Sequence, residues 1–292
     1  MSKPSLENNS LRRRSYPLSR GGISLRLDCV SGGERTEKQI LLTHGVTYSS
    51  HEFDVDYEDY SLVRCLAGAG YGVWRLDVAG YGLSGAVDDG FLPDSDYAAE
   101  DIRAAVELIV TETGREKIDL LGWSWGTVTA GRYAARHPEH LRRLVLYAPI
   151  LTGIGAAEIT EPFHRNSRAH AAEDFQQAAD GLPDPAITDP IVVDLFCSGC
   201  MRFDGEYSPN AGRRDICVDP SIDLIPLEQI AAPTLILCGD RDPYLNYERL
   251  GDSLRRLPRG SALEIIPGGG HVLMLEAPYH QEFQRKLLRF LR

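Results

Sequence analysis

Short apolar runs that end in glycine or in a turn recur along this chain, and longer stretches with helical periodicity separate them. Near-continuous apolar runs are typical of strands that are covered on both faces of a sheet. The runs that we assign to strands on this basis are 40–43, 72–76, 118–122, 144–147, 234–237 and 263–266.

Helical patterns lie between these strands. Segment 97–113 places its apolar residues on one stripe, and segments 125–137 and 278–291 also favour helices. Near the start, segments 15–19 and 23–30 flank two glycines and predict an antiparallel hairpin on the edge of the sheet. The alternation of strands and helices predicts an α/β fold with a mostly parallel, doubly wound sheet.

One long interval breaks this alternation. Residues 151–225 hold six prolines, with short helical pieces between them. Because a structureless loop of this length is uncommon inside a compact domain, we interpret the interval as an inserted helical cap. The predicted organisation is therefore a core of residues 21–150 and 226–292, the cap, and a basic N-terminal arm of residues 1–20.

The composition is that of an average globular protein, with 292 residues, 43% hydrophobic and 25% charged. The net charge of −11 argues against nucleic acid and against an anionic membrane as partners, since both attract basic surfaces. Residues 1–20 differ, because they carry five basic residues against the single acid Glu7. This segment is interpreted as a solvated terminus, with docking on another subunit as the alternative, so a homo-oligomer stays open.

No export signal and no run of 18 apolar residues is visible, which predicts a cytoplasmic location. The expected partner is a small-molecule substrate. Six cysteines are then expected to be reduced and mostly buried. Cys197 and Cys200 form a CxxC pair with Cys217 nearby, but a zinc site needs a fourth ligand and usually a second pair. We therefore predict no metal and no cofactor.

The strongest chemical signal is the Gly-x-Ser-x-Gly motif at residues 122–126, which joins an apolar strand to a helix. Glycine at 122 and 126 relieves the crowding of such a tight turn and lifts Ser124 above the sheet. The N-terminus of the following helix also favours a negative charge on the serine oxygen. This arrangement predicts a nucleophilic serine.

In this motif the chain resembles the α/β-hydrolase family, in which the nucleophile is followed along the chain by an acid and then by a histidine. Strand 234–238 leads into a loop with Asp240 and Asp242, and strand 263–266 leads into a glycine-rich loop that ends at His271. The resemblance implies a triad of Ser124, Asp242 and His271. His271 would take the serine proton, and Asp242, preferred over Asp240 by the family pattern, would orient the imidazole.

The resemblance also implies an oxyanion hole, in which two backbone N–H groups stabilise the negative oxygen of the intermediate. One donor is the N–H of Trp125, directly after the nucleophile, and the other is the N–H of Val46 in the loop that contains His44. His44 is then expected to shape this loop. The pattern D-x-x-G-x-G-x-S at residues 77–84 matches another structural loop of the family.

An apolar pocket with aromatic walls is expected around the nucleophile. The candidate substrate-binding residues are aromatic side chains and one histidine, chosen because they lie beside the motifs or in the predicted cap: Trp123, Tyr48, His51, Phe163, Phe196 and Phe203.

Serine at position 124 disfavours the family's dehalogenases and epoxide hydrolases, which use an aspartate nucleophile. It favours an acyl-enzyme, and we expect cleavage of an ester or lactone of a small to medium, partly apolar substrate. C–C bond hydrolysis or acyl transfer by the same triad stays open. A proline-iminopeptidase-like activity is a minor alternative, because Val46 and Thr47 replace the Gly-Pro of that oxyanion loop. A ligand-binding protein without activity is the remaining alternative.

Overall fold

The computed structural model describes residues 11–33 and 36–292, and its centre is an eight-stranded sheet. The strand order across this sheet is β1-β2-β4-β3-β5-β6-β9-β10, and β7 and β8 form a separate two-stranded ribbon. In chain order the strands are β1 (Arg12–Arg20), β2 (Ile23–Ser31), β3 (Lys38–Thr43), β4 (Tyr71–Asp77), β5 (Ile118–Trp123), β6 (Leu141–Tyr147), β7 (Phe163–Arg165), β8 (Tyr207–Pro209), β9 (Thr234–Gly239) and β10 (Ala262–Ile266).

The pairing of the central strands is parallel from β4 through β3, β5, β6 and β9 to β10, whereas β1 and β2 pair antiparallel at one edge. The mostly parallel sheet, the edge hairpin and all six predicted core strands are therefore confirmed. In such a sheet the carboxyl ends of the parallel strands meet at one edge, where binding sites collect.

Eight α-helices surround the sheet within the described residues. They are α1 (Leu62–Gly68), α2 (Ser95–Thr113), α3 (Trp125–Arg136), α4 (Arg168–Ala172), α5 (Pro190–Phe203), α6 (Ala211–Ile216), α7 (Leu250–Arg256) and α8 (His280–Leu291). The longest of them, α2, begins where the Asp94 carboxylate accepts the N–H groups of Asp96 and Tyr97, and it ends at Gly114 with φ +67°. Both ends thus follow the usual chemistry of helix caps.

Successive residues of the central strands point into two different apolar layers. Leu120 of β5 lies in the layer formed with α2 and α3, and Leu121 lies in the opposite layer, formed with α1 and α8. The same alternation holds for Leu144 and Val145 of β6. Burial on both faces explains why these strands appear in the sequence as continuous apolar runs.

Residues 151–225 contain α4, α5, α6 and the β7–β8 ribbon, which agrees with a helical insertion, although its status as a separate domain stays a prediction. The insertion is fastened to loops of the core. Asp204 accepts the N–H groups of Ser49 (3.1 Å) and Gly82 (2.9 Å), and Gln176 donates to the carbonyl of Gly268 (2.9 Å). These loops follow β3, β4 and β10, so the insertion lies over the carboxyl edge of the sheet.

The predicted basic arm of residues 1–20 is described by the structure only from residue 11 onward. Residues 12–20 form the edge strand β1, because Tyr16 packs on Trp74 and Arg20 binds the buried carboxylate of Asp101 at 2.6 Å. Residues 1–10 lie outside the described part of the chain.

All six cysteines are free thiols, and Cys197 and Cys200 are buried in α5. Within residues 11–33 and 36–292, no group of three or more His, Cys, Asp or Glu side chains is arranged to hold a metal ion. Over the same residues, no helix is both long enough and apolar enough to cross a bilayer.

Candidate active site

Ser124 stands at the junction of β5 and α3 with φ +56°, a backbone conformation that a non-glycine residue rarely adopts. The flanking glycines make this turn sterically feasible. A Cβ at position 122 would lie 2.1 Å from the carbonyl oxygen of Gly126, and a Cβ at position 126 would lie 2.5 Å from that of Thr43. The strain at Ser124 is thus held in place by close backbone packing, as expected for a nucleophile elbow.

His271 and Asp242 meet beyond the ends of β10 and β9. The Nδ1 atom of His271 lies 2.8 Å from Oδ2 of Asp242, and the two residues are only 3% and 7% exposed. Since an ionised carboxylate can only accept, Nδ1 carries the proton and Nε2 is left as the proton acceptor. The second oxygen of Asp242 accepts the N–H of Tyr244 at 3.0 Å, which fixes the carboxylate.

The loop of His271 is anchored from the sheet side. The indole N–H of Trp123 and the hydroxyl of Tyr147 both donate to the carbonyl oxygen of His271, each at 3.2 Å. Asp240, the acid that the family pattern disfavours, accepts the N–H of Gly268 at 2.7 Å and so holds the start of the same loop. The two aspartates therefore make different contacts. Asp242 binds the imidazole of His271, whereas Asp240 binds the backbone of the loop that leads to it.

The pKa of His271 is raised above its ordinary value. Burial lowers it, but the charge and hydrogen bond of Asp242 raise it, with smaller contributions from Asp174 and Glu276. A histidine that must gain and return a proton near neutral pH benefits from this balance.

The loop after β3 carries the second predicted oxyanion donor. His44 is buried, with Nδ1 2.8 Å from the carbonyl of Gly45 and Nε2 accepting the N–H of Val78 at 3.1 Å. Both ring nitrogens are thus used within the loop, which agrees with a loop-shaping role. Val46 lies two residues after His44 in the same loop. Trp125 is the first residue of α3, and the backbone N–H groups of a helix's first turn lack partners within the helix.

Helix α6 of the insertion is seated on both predicted oxyanion residues. A Cβ at Gly212 would lie 2.7 Å from the Trp125 indole and 2.9 Å from a methyl group of Val46, so only glycine fits there without a shift. The hydroxyl oxygen of Tyr81 lies within hydrogen-bonding distance of the carbonyl oxygens of Val46 (3.0 Å) and Pro209 (3.1 Å), which links the oxyanion loop to the end of β8, two residues before α6. The insertion and the oxyanion loop are therefore packed as one unit.

Ser124 and His271 open into one cavity of about 140 Å³, called the Ser124 cavity below. Its remaining walls come from the oxyanion loop, the elbow, the insertion and the loop after β9. They are formed by Gly45, Val46, Thr47, Glu52, Trp123, Ile150, Ile154, His170, Asp174, Arg213, Ile216, Cys217 and Tyr244. The isoleucines supply apolar surface, and Glu52, Asp174 and Arg213 supply ionisable side chains in the same cavity as Ser124.

Sequence reasoning missed these charged residues. Glu52 is 2% exposed, and its Oε2 has no hydrogen-bond partner among the described residues. Burial raises the pKa of Glu52 well above its ordinary value, with Asp174 adding to the effect. Burial also raises the pKa of Asp174, although His271 opposes it, and burial lowers the pKa of Arg213. No sequence motif surrounds these residues, so only their folded positions identify them.

Of the six predicted substrate-binding residues, the structure brings only Trp123 into the Ser124 cavity. Tyr48 is fully buried, and its hydroxyl donates to the carbonyl of Ser167 at 3.2 Å. His51 stacks on Phe203 and lines a separate groove together with Phe196. Phe163 lies in β7 and packs against the apolar layer of α2 and α3. These aromatic side chains fasten the insertion to the core, which accounts for their place away from the nucleophile.

Comparison with known proteins gives a consistent picture. A family model described as serine aminopeptidase, S33, matches residues 34–278. The mouse (Mus musculus) serine hydrolase BPHL is 30% identical over 218 residues, which are 74% of this chain and 67% of that protein. A pimeloyl-[acyl-carrier protein] methyl ester esterase of Neisseria meningitidis serogroup C is 27% identical over 252 residues, covering 82% and 88% of the two chains.

Solved structures show the same fold. Epoxide hydrolase A from Mycobacterium thermoresistibile superimposes with a TM-score of 0.67 over 96% of this chain and 98% of that chain, at 19% sequence identity.

Proposed function

This chain belongs to the serine aminopeptidase S33 family of α/β hydrolases, and we propose that it is a serine hydrolase that cleaves a carboxylic ester or lactone. The observation that carries the proposal is the strained Ser124 elbow, which opens with His271 into one cavity while Asp242 holds the imidazole at 2.8 Å. That combination supplies a nucleophile, a base and an orienting acid.

The proposed reaction proceeds in two stages. Nε2 of His271 takes the hydroxyl proton of Ser124 as the serine oxygen attacks the ester carbonyl, and the resulting oxyanion is stabilised by the N–H groups of Val46 and Trp125. Collapse of this intermediate expels the alcohol, which receives the proton from His271, and leaves an acyl-enzyme. Water then loses a proton to His271 and attacks the acyl carbon. The second intermediate collapses as His271 returns this proton to the Ser124 oxygen, which releases the acid and restores the free serine.

Residues 151–225 act in this proposal as a cap. Ile154, Arg213, Ile216 and Cys217 of this segment line the cavity, where they would limit the access of water to a bound substrate. Exclusion of water strengthens the electrostatic contribution of the oxyanion donors. A cavity of about 140 Å³ favours a small acyl or alcohol group beside the serine.

Several classes of substrate can be cleaved through an acyl-enzyme. Among them we prefer the ester, because a relative with 27% identity is named as a methyl ester esterase. Peptidase activity is a second candidate, since Glu52 and Asp174 line the cavity and a carboxylate there could bind the amino terminus of a peptide. Against it, Val46 and Thr47 stand where the resembling iminopeptidases carry Gly-Pro.

Turnover of p-nitrophenyl esters with acyl chains of increasing length, compared with aminoacyl p-nitroanilides, tests the proposal. We expect ester hydrolysis that falls with chain length and is lost in Ser124→Ala. Faster cleavage of the anilides would favour the peptidase, and ester hydrolysis that persists in Ser124→Ala would refute the proposed nucleophile.

A further inference from the structure

Arg213 is the cationic side chain of α6 that faces the Ser124 cavity, and it is mostly buried. Its guanidinium donates to Oγ1 of Thr47 at 2.6 Å, to the carbonyl of Val46 at 3.4 Å and to Oδ1 of Asn210 at 3.3 Å. All three acceptors are neutral. The charge of Arg213 is therefore held beside the oxyanion loop without being neutralised by these contacts.

Other arginines that reach into this fold are paired with a buried acid. Arg20 binds Asp101 at 2.6 Å, and Arg142 binds Asp119. Within the described part of the chain, no carboxylate lies at ion-pair distance from Arg213, whose contacts are the three given above. A guanidinium has five N–H donors, so two are left unused. Burying such a charge without an anion costs free energy, and burial accordingly lowers the pKa of Arg213.

The two acids that share the cavity, Glu52 and Asp174, form no ion pair with Arg213 in the described part of the chain. Burial raises the pKa of both acids, and Asp174 adds to the effect on Glu52, whereas His271 and Arg213 lower the pKa of Asp174. Arginine stays protonated at every pH at which proteins are folded. Arg213 therefore keeps a positive charge in the wall of the cavity with no carboxylate of the described residues bound to it.

We propose that Arg213 binds a carboxylate of the substrate, so that the natural substrate is an ester or lactone that also carries a free carboxylate. This inference rests on the proposed ester hydrolysis at Ser124. An arginine presents paired N–H groups that match the two oxygens of a carboxylate. Because Arg213 touches Val46 and Thr47 of the oxyanion loop, the carboxylate would lie a short distance from the scissile carbonyl. The fitting chemistry is the half-ester of a short dicarboxylic acid.

Matched substrates test the proposal with the full-length protein. Monomethyl succinate carries the carboxylate, methyl succinamate replaces it by a neutral amide of nearly the same shape, and methyl 4-aminobutanoate carries an ammonium group. We expect the wild-type protein to have the highest kcat/KM on monomethyl succinate. Arg213→Met should lower that value about 10- to 100-fold, the usual effect of losing hydrogen bonds to a charged group, with less than about a threefold change on the amide.

Arg214→Met is the matched control, because Arg214 is the next residue of α6 but is exposed and stacks over Phe91 at 4.3 Å. It should leave all three substrates unaffected. Arg213→Lys should recover part of the preference for the carboxylate, since it keeps the charge but not the planar pair of donors.

Three results would overturn the proposal. The first is a wild-type preference for the amide or for the ammonium ester. The second is an equal loss of kcat/KM on all three substrates in Arg213→Met, which would mean that Arg213 only supports the oxyanion loop. The third concerns binding without turnover, measured by calorimetry with monomethyl succinate and Ser124→Ala. If the additional Arg213→Met change did not weaken that binding, Arg213 would have no role in recognition, whatever the outcome for ester hydrolysis.

Discussion

Replacing Gly212 by alanine tests whether the insertion and the oxyanion loop form one unit. The new Cβ would lie 2.7 Å from the Trp125 indole and 2.9 Å from Val46, whereas ordinary contact begins at 3.4 Å, so α6 must withdraw by 3.4 minus 2.7, or 0.7 Å. Trp125 cannot yield easily, because its indole N–H donates to Oγ of Ser95 at 2.8 Å.

Two consequences follow from a displacement of this size. Overpacking of a buried contact costs about 1–3 kcal/mol, so the midpoint of thermal unfolding should fall by several degrees. A misplacement approaching 1 Å near reacting groups lowers the rate up to about 10²-fold, so we expect kcat on p-nitrophenyl acetate to fall about 10- to 100-fold with little change in KM.

Steady-state kinetics and differential scanning calorimetry provide these values. Gly251→Ala is the matched control, because Gly251 lies in α7 and its added Cβ would meet nothing closer than the Arg255 guanidinium at 3.7 Å. That change should leave kcat unaltered and raise stability by about 0.5–1 kcal/mol. An unchanged kcat in Gly212→Ala, accompanied by the expected loss of stability, would refute the coupling between α6 and the oxyanion loop.

Three further predictions concern the triad. Asp242→Asn should lower kcat about 10³- to 10⁴-fold in steady-state assays, because His271 loses its orienting acceptor. Asp240→Asn should lower kcat less than about 10-fold. A larger loss in Asp240→Asn than in Asp242→Asn would assign the acid of the triad to Asp240. In a plot of kcat/KM against pH, activity should fall on the acidic side as His271 becomes protonated. The midpoint of this fall should lie above about pH 6.5, because the pKa of His271 is raised. A midpoint below that pH would contradict the contribution of Asp242. Ser124→Ala should keep the unfolding temperature within a few degrees while removing all but about one part in 10³ of the activity, and a larger remainder would argue for another nucleophile.

Much of the fold could be predicted because its signals are local. Strands buried on both faces, such as Ile118–Trp123, appear as unbroken apolar runs, and α2 carries both a cap and a glycine stop. The short helices α1 and α7 were not predicted, because seven residues give too few turns for a clear periodicity.

The proposed triad could be inferred for the same reason, since each member follows a recognisable strand.

The residues that line the cavity could not be predicted from the sequence. Arg213 and Arg214 are adjacent and identical in the sequence, yet one faces Ser124 and the other covers Phe91 on the outside. Aromatic residues such as Phe196 were expected in the cavity from their type alone, but they pack between α5 and the core, and charged residues occupy the site. Which face of a short helix meets the cavity is decided by tertiary packing.

The central claim, that Ser124 is the activated nucleophile of a serine hydrolase, is tested most directly by labelling the folded protein with a fluorophosphonate and locating the adduct by peptide mass spectrometry. The account predicts a single adduct on Ser124, formed much more slowly in His271→Ala and absent in Ser124→Ala. A folded protein that forms no adduct, or one that forms it on another residue, would contradict the account.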